Sequence, residues 1–457
     1  MNLLIIGNGL DLDLGLPTKY TDFLHFTNAF KFSIAYDEDR IDEIDEFNIC
    51  DSYRAIFYRY QKPDSANSES NYQKSKSILK KFDKSFSNPF INKACKDFYY
   101  CINNNCWIKY FNERYEQNLI AGENWIDLES EIQSVIKILE SKKKLDVVDE
   151  KGTSSIQPAN FNLNQLDIQT IINGSGKSTL FKNDYNKFKN VLLNDFDRFI
   201  MALGIYLDFF VGQLSPYVEH ASKELNDMMT NKASNKIECV LSFNYKNNFK
   251  QQNSLSKTCY IHGSINYVQE LKDHVHKRMG DEDKTYMNIK EIIKRNRMIV
   301  GFDDLKNTEE NLISQDVELE FIDYHKYFQR IYKGTDSQYV DWLNKYQEEI
   351  KTQKNIPTLS GETRESVVDR MILRQAETKP NQIFIFGHSL DATDNEIFRD
   401  IFLRELNDTQ IVIYYHDSAA RKRIITNLVR ILTQQILVQK TKGTNPNIKF
   451  VPQTYIE

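Results

Sequence analysis

No stretch of this chain is long and apolar enough to cross a bilayer. The most apolar segment, "FIMALGIYLDFFVG" (199–212), carries Asp208 and falls well short of the roughly twenty residues that a span requires. The first residues lack the basic segment and cleavage site of a secretory leader, and their apolar run is short. The expectation is a cytoplasmic protein with no membrane contact. The six cysteines (Cys50, Cys95, Cys101, Cys106, Cys239 and Cys259) show no CxxC spacing. Cys95, Cys101 and Cys106 cluster, but no histidine lies nearby in sequence to complete a zinc site. All six read as reduced thiols, and no metal is expected. Charge of one sign is also lacking: a formal net charge of -5 gives no general attraction to nucleic acid or to an anionic membrane.

What the chain does have is length and apolar content. With 457 residues, 40% of them hydrophobic, it exceeds the usual single core, so two lobes or one domain with large insertions is expected. Residues 3–6 form a short apolar run stopped by glycine, without polar alternation; this reads as a buried strand in the middle of a parallel sheet. The next comparable runs come late: "IECVLSF" (237–243), "TCYIHG" (258–263), "RMIVGF" (297–302), "QIFIFG" (382–387) and "QIVIYY" (410–415), with "IKFV" (448–451) as an edge. Helical patterns separate several of them, which predicts an α/β fold: a Rossmann-like, doubly wound parallel sheet. Between the first strand and the others, Phe188, Leu192, Phe196, Phe199, Leu203, Tyr206 and Phe210 recur at steps of three and four and predict one long amphipathic helix. Residues 61–75 and 142–165 are polar and read as loops. The expected organisation is a first strand and nucleotide loop in 1–30, a large, mostly helical insertion in 31–235, and the rest of the α/β core in 236–457, with a helical insertion near 310–378.

Two glycine-rich segments invite a phosphate-binding reading. "INGSGKSTLF" (172–181) resembles a P-loop, with Gly174, Gly176, Lys177 and Ser178 in place, but Ile171 stands where the first glycine belongs. A β-branched residue does not readily take that turn, so the segment reads as a polar loop with Ser178 or Thr179 capping the long helix. The opening "LLIIGNGLDLDLGLPTKY" has Gly7 and Gly9 of a G-x-G-x-x-G fingerprint but Leu12 in place of the third glycine. Two glycines after a central strand still let the backbone approach a ligand at a helix N-terminus. Asp11 and Asp13 would oppose a pyrophosphate, and a carboxylate suits ribose hydroxyls better; Asp11 could equally cap a helical turn. Other strands end in Asn244, in His262 followed by Gly263, and in the run "IFGHSLDATD" with Gly387, His388, Ser389, Asp391 and Asp394. In open parallel sheets, ligands bind outside the carboxyl ends of the strands, so these groups are expected to share one crevice.

The stretches "LLIIGNGLDLDLGLPTKYTDFL", "SFNYKNNF", "YIHGS" and "FIFGHSLDATD" resemble, in order and form, those of the AbiH family of bacterial abortive-infection proteins, with a weaker match at "NWIDLE" (124–129). They are also similar to a distant version of the sirtuin-like nucleotide-binding fold. That resemblance implies that Gly7, Asn8 and Gly9, with Pro17 in the following turn, cradle NAD, and that Gly387, His388 and Ser389 contact its adenosine ribose and phosphates. It implies Asn244 and His262 as catalytic residues. Asp11, Tyr245, Gly263 and Asp391, beside these motifs, complete the expected binding set. Two features depart from the pattern: Lys246 stands where an aspartate is usual, and zinc-ribbon cysteines are absent. Both count against protein deacetylation.

Such residues suit cleavage of the nicotinamide–ribose bond, with NAD as substrate. The pyridinium leaves as a neutral base, so the barrier lies in an oxocarbenium-like centre, as in glycoside hydrolysis. Asn244 would orient ribose or water, and His262 would accept a proton. The expected role is that of an antiphage abortive-infection protein that releases nicotinamide from NAD or a related ADP-ribose nucleotide, by hydrolysis or cyclisation. A phage-derived trigger and self-association go with that reading. The alternatives are a nucleotide-sensing or partner-binding module without turnover, and an NTPase or nuclease effector. In "NWIDLE", Trp125 is expected to be buried beside a solvated acidic face, or else Asp127 or Glu129 supplies the carboxylate missing at Lys246. For the 174–178 loop the expected outcome is specific: Lys177→Ala leaves ligand binding and toxicity nearly unchanged, and a loss as large as that of a His262 variant would favour the NTPase reading.

Overall fold

The computed structural model describes residues 2–34, 90–123, 125–149, 185–215, 221–230, 237–246, 248, 256–274, 276–277, 284–285, 287–302, 319–335, 337–354, 382–391, 394–403, 409–443 and 446–454. The segment 172–181, with its P-loop-like run, lies outside them, as does 61–75. The chain divides into two compact units: one takes Met1–Asp13, His220–His262 and Thr335–Glu457, and the other takes Leu14–Glu219 and Gly263–Gly334. Among the described residues no helix is long and apolar enough to cross a membrane.

The first unit is built on six strands: β1 (Asn2–Ile6), β2 (Cys239–Ser242), β3 (Lys257–Tyr260), β6 (Gln382–Phe386), β7 (Gln410–Tyr415) and β8 (Ile448–Pro452). Two further strands, β4 (His276–Lys277) and β5 (Lys284–Thr285), pair only with each other, antiparallel, in the second unit. The order is β3-β2-β1-β6-β7-β8 and every pairing is parallel, which makes a Rossmann-like α/β sheet. β1 runs down its middle, with Leu3 beside Cys239 on one side and Ile383 on the other. Both its faces are buried, Leu3 and Ile5 on one, Leu4 and Ile6 on the other, which is why its sequence shows an unbroken apolar run. Leu3 and Ile5 share a core with Leu241, Ile385 and Ile413. The helices Asn395–Leu403 and Ser418–Lys442 add Phe398, Ile401, Leu428 and Leu432 to that core. Asp417 starts the second helix by accepting the Ala420 amide at 2.6 Å. The edge strands end the sheet with lysine and proline: Lys257 on β3 is exposed, and β8 carries Lys449 and closes on Pro452. Both residue types discourage another strand from adding there.

The second unit is mainly helical and its core is aromatic. The expected long helix is present as Tyr185–Ile205, continued by a π-helical turn Tyr206–Phe210 and a last turn Val211–Leu214. Its buried face sets Phe199, Tyr206 and Phe210 against Phe23, Phe26 and Phe30 of the helix Tyr20–Ile34 and Phe98 of the helix Ile91–Ile102. Phe26 alone lies within 6.0 Å, centroid to centroid, of Phe30, Phe98, Tyr206 and Phe210. Buried Asn105 caps the helix Cys106–Ile120 by accepting the Trp107 and Ile108 amides, and donates to the carbonyls of Cys101 and Asp195. A single side chain thereby ties three helices. Cys95, Cys101, Cys106, Cys239 and Cys259 are buried, and burial pushes Cys95 and Cys101 upward in pKa.

Three local expectations are corrected. Residues 297–302 are not a strand of the sheet: they lie in the second unit and make only an isolated bridge, Phe302 with His325. Met298, Ile299 and Val300 are buried there, so their apolar run reflects burial in a helical unit. Residues 142–149, read as loop, belong to the helix Leu128–Asp149; their lysines are compatible with helix and were mistaken for linker. Trp125 is 60% exposed. Replacing Phe26 with alanine removes a fully buried ring that meets four others and should lower stability by about 3–5 kcal/mol, measurable as a drop in the urea midpoint.

Candidate functional site

The carboxyl ends of β1, β2, β3 and β6 carry the expected residues within one unit. After β1, the chain turns through Gly7-Asn8-Gly9 into a single helical turn, Gly9–Asp13. Gly7 donates to the Phe386 carbonyl at 3.1 Å and Gly9 to the Gly387 carbonyl at 2.8 Å, while the Leu10 and Leu12 amides return to Gly7 and Asn8. Four of the loop's amides are thus spent inside the protein, and a ligand here would be held chiefly by side chains. The glycines have a packing reason as well. A Cβ on Gly9 would stand 2.6 Å from Gly387 Cα, and one on Gly7 would stand 2.7 Å from the Gly387 oxygen. Gly387 itself, at φ +67, would drive a Cβ to 2.3 Å from the Leu10 nitrogen. The two glycine loops lie backbone against backbone.

Asn244 and Asp11 form the first of two polar clusters. Asn244 is buried just past β2, and its side-chain nitrogen donates to the Gly7 carbonyl at 3.1 Å and to Asp11 Oδ2 at 3.3 Å. Asn248 donates to Asp11 Oδ1 at 2.7 Å. Asp11 therefore caps no helix; it is a buried carboxylate held by two asparagines. Burial raises its pKa to about 7, against the lowering pull of the Asn248 hydrogen bond and the Lys246 charge.

The second cluster is two histidines across one carboxylate. His262 follows β3, and its Nε2 lies 3.2 Å from Asp394 Oδ1. His388 follows β6, and its Nε2 lies 3.6 Å from Asp394 Oδ2. The Leu390 amide donates to His388 Nδ1 at 2.9 Å, so a neutral His388 carries its proton on Nε2, towards Asp394. All three side chains are more than nine-tenths buried. Phe243 sits edge-on to both imidazoles, 5.6 Å from His262 and 4.3 Å from His388, and stacks on Phe398 at 5.0 Å. Tyr245 lies 6.3 Å from His262, ring to ring.

Of the other expected residues, Asp391 and Ser389 are exposed, and they enter the hydrogen-bond network through their carbonyls, to the Asp394 amide and the Asn427 side chain. Pro17 and Gly263 belong to the second unit. There, Pro17 accepts the Tyr206 hydroxyl at 2.7 Å, and Gly263, at φ +72, leaves no room for a Cβ, which would meet the Arg297 oxygen at 1.9 Å. Glu129 is paired with buried Lys326 at 2.7 Å, and Asp127 caps the helix Leu128–Asp149 through the Glu129 and Ser130 amides. Both carboxylates have structural partners in the second unit. Asn248 and Phe243 join the site without having been singled out, and Asp394, expected in the crevice, proves to face both histidines, a contact that only the folded loop after β6 creates.

The raised pKa of Asp11 makes a stability prediction. In the unfolded chain an aspartate ionises near pH 4, whereas in the fold it holds its proton to about 7. Its contribution to stability is therefore fully present below pH 4 and is lost as pH rises through 7. Asp11→Asn disturbs the two asparagine donors equally at every pH, but it removes this slope. Between pH 4 and 8 the wild type should lose stability relative to the variant by roughly 4 kcal/mol, read from urea curves at the two pH values. Parallel curves would mean that Asp11 is ionised throughout.

A family model described as bacteriophage abortive infection AbiH matches residues 3–415. No curated protein and no solved structure matches the chain. The family match takes in both glycine loops, Asn244, His262 and Asp394, and it runs through segments of both units. The chain therefore belongs to the bacteriophage abortive infection AbiH family, and its general role is defence against phage.

Proposed function

We propose that this protein defends by cleaving NAD at the nicotinamide–ribose bond. The observation that carries the reading is the pairing of His262 with Asp394 at 3.2 Å, beside the glycine loop at the end of a central parallel strand. Water adds to the anomeric carbon as nicotinamide leaves with the bonding electrons, and the products are ADP-ribose, nicotinamide and a proton. His262 takes that proton from the water, and Asp394 stabilises the imidazolium that forms. Phe243 walls the imidazole on one side and limits its motion. Asn244, whose nitrogen is committed to Gly7 and Asp11, offers its side-chain oxygen to the water or a ribose hydroxyl. Asp11, with a pKa of about 7, can donate or accept a hydrogen bond with a ribose hydroxyl at neutral pH. Removing NAD from an infected cell would halt its metabolism before the phage matures.

One observation favours a second reading, a nucleotide-sensing module without turnover. Four loop amides, the glycines and the Asn244 nitrogen have protein partners, so they are explained without any reaction. The two readings separate on one measurement: full-length protein incubated with NAD, and free nicotinamide assayed over time. His262→Ala should reduce release by about a hundred- to ten-thousand-fold; because the imidazole is buried against Phe243 and Asp394, the comparison is made on variant protein that still unfolds cooperatively in urea. Asp394→Asn should also reduce release, and His388→Ala less than either. No nicotinamide from the wild type under conditions where it arrests growth would overturn the hydrolase reading in favour of the sensor.

A further inference from the structure

The second unit holds a cavity of about 620 Å³, a size typical of small-molecule sites. Among the described residues, four cationic side chains line it, Lys294, Arg295, Arg297 and Lys333, with Glu270 as the lone carboxylate. Glu270 does not neutralise them. It lies 3.5 Å from Arg295 and shares itself with His274 at 3.3 Å. Lys294 reaches out to Glu291. Among the described residues, no carboxylate is set against Arg297. Lys333 points its ammonium at two neutral acceptors, the Met298 carbonyl at 2.5 Å and Gln329 Oε1 at 3.5 Å. Its burial pushes it down to about 8 despite the Asp197 charge. Three of these cations lie in the last turns of the helices Ile289–Arg295 and Lys326–Lys333, where they also offset the helix dipoles. That role does not extend to Arg297, which lies beyond the helix, nor to the concavity they surround.

We propose that this cavity is a second ligand site, for a phosphate-bearing small molecule of nucleotide size. Arg295 and Arg297 would grip phosphate oxygens in forked geometry, which guanidinium groups suit better than ammonium groups. Lys333 would complete the anion's charge from the cavity wall. Tyr332, 79% exposed and stacked by one face on Phe328, would offer its other face to a base. The site is independent of the NAD reading: it holds whether or not the chain cleaves anything. It would give the helical unit a means of registering a nucleotide signal.

The test uses the full chain with ADP as the probe and backbone hydrogen exchange as the readout, because exchange reports where binding occurs. ADP should slow exchange in 289–302 and 326–334. Inorganic pyrophosphate should compete with it there, since the cations carry the recognition. Arg297→Glu should weaken ADP binding about tenfold or more and erase the slowing in those segments. Arg297→Gln, which keeps the shape and loses only the charge, should weaken it in the same direction. The proposal is overturned if ADP slows exchange only in 2–15 and 382–391, if pyrophosphate fails to compete, or if wild type and Arg297→Gln respond alike.

Discussion

The close approach of two loops governs this site. Gly7 and Gly9 follow β1, Gly387 follows β6, and their backbones meet with no space for a single Cβ between them. Two amide-to-carbonyl bonds, from Gly7 to Phe386 and from Gly9 to Gly387, continue the pairing of β1 and β6 past the end of the sheet. Because the loops cannot separate, His388 is held close to the β1 loop, and Asn244 reaches the Gly7 carbonyl from the other side. The positions of Asp11, Phe243 and His262 follow from that arrangement. A methyl group at any of the three glycines would have to part the loops, and the spacing of the polar side chains would change with them.

The site separates two kinds of charge. Asp11 is held by neutral amide donors and is raised towards neutrality by burial. Asp394 is faced by two imidazoles, and one of them, His388, already uses its Nδ1 to accept the Leu390 amide. Two carboxylates in neighbouring strand-end loops therefore meet different surroundings, and environment of this kind assigns different chemical roles to one side-chain type. The family's defensive role gives a reason to keep such a pair, and the proposed bond cleavage uses both members differently.

Much of the fold was legible because the strands are short, apolar and stopped by glycine or a polar residue. Residues 3–6, 239–242, 382–386 and 410–415 announce themselves in that way, and an unbroken apolar run was enough to put the first of them inside the sheet. The same signal misled at 297–302, because burial within a helical unit selects the same residue types as burial within a sheet. Trp125 was misread because helical spacing put it on one face with Leu128; the helix begins only at Leu128, and Trp125, ahead of it, lies outside. Glu129 looked available because nothing nearby in sequence pairs with it; its partner, Lys326, lies almost two hundred residues away. The histidines at the strand ends could be found by position. Their shared contact with Asp394 could not, since it depends on how the loop after β6 folds back. Asn248 and its bond to Asp11 were hidden for the same reason.

The sheet's order also has a consequence for how the protein is made. β1 pairs on one side with a strand near residue 240 and on the other with one near residue 384. A ribosome adding about 5–20 residues per second keeps β1 waiting roughly 20–75 s for its second neighbour. Contacts so distant along the chain are also slow to form once both partners exist. Through that interval the chain has neither the paired glycine loops nor the His262–Asp394 pair. A chain still being translated therefore lacks the assembled loops and the paired side chains on which the proposed cleavage would depend.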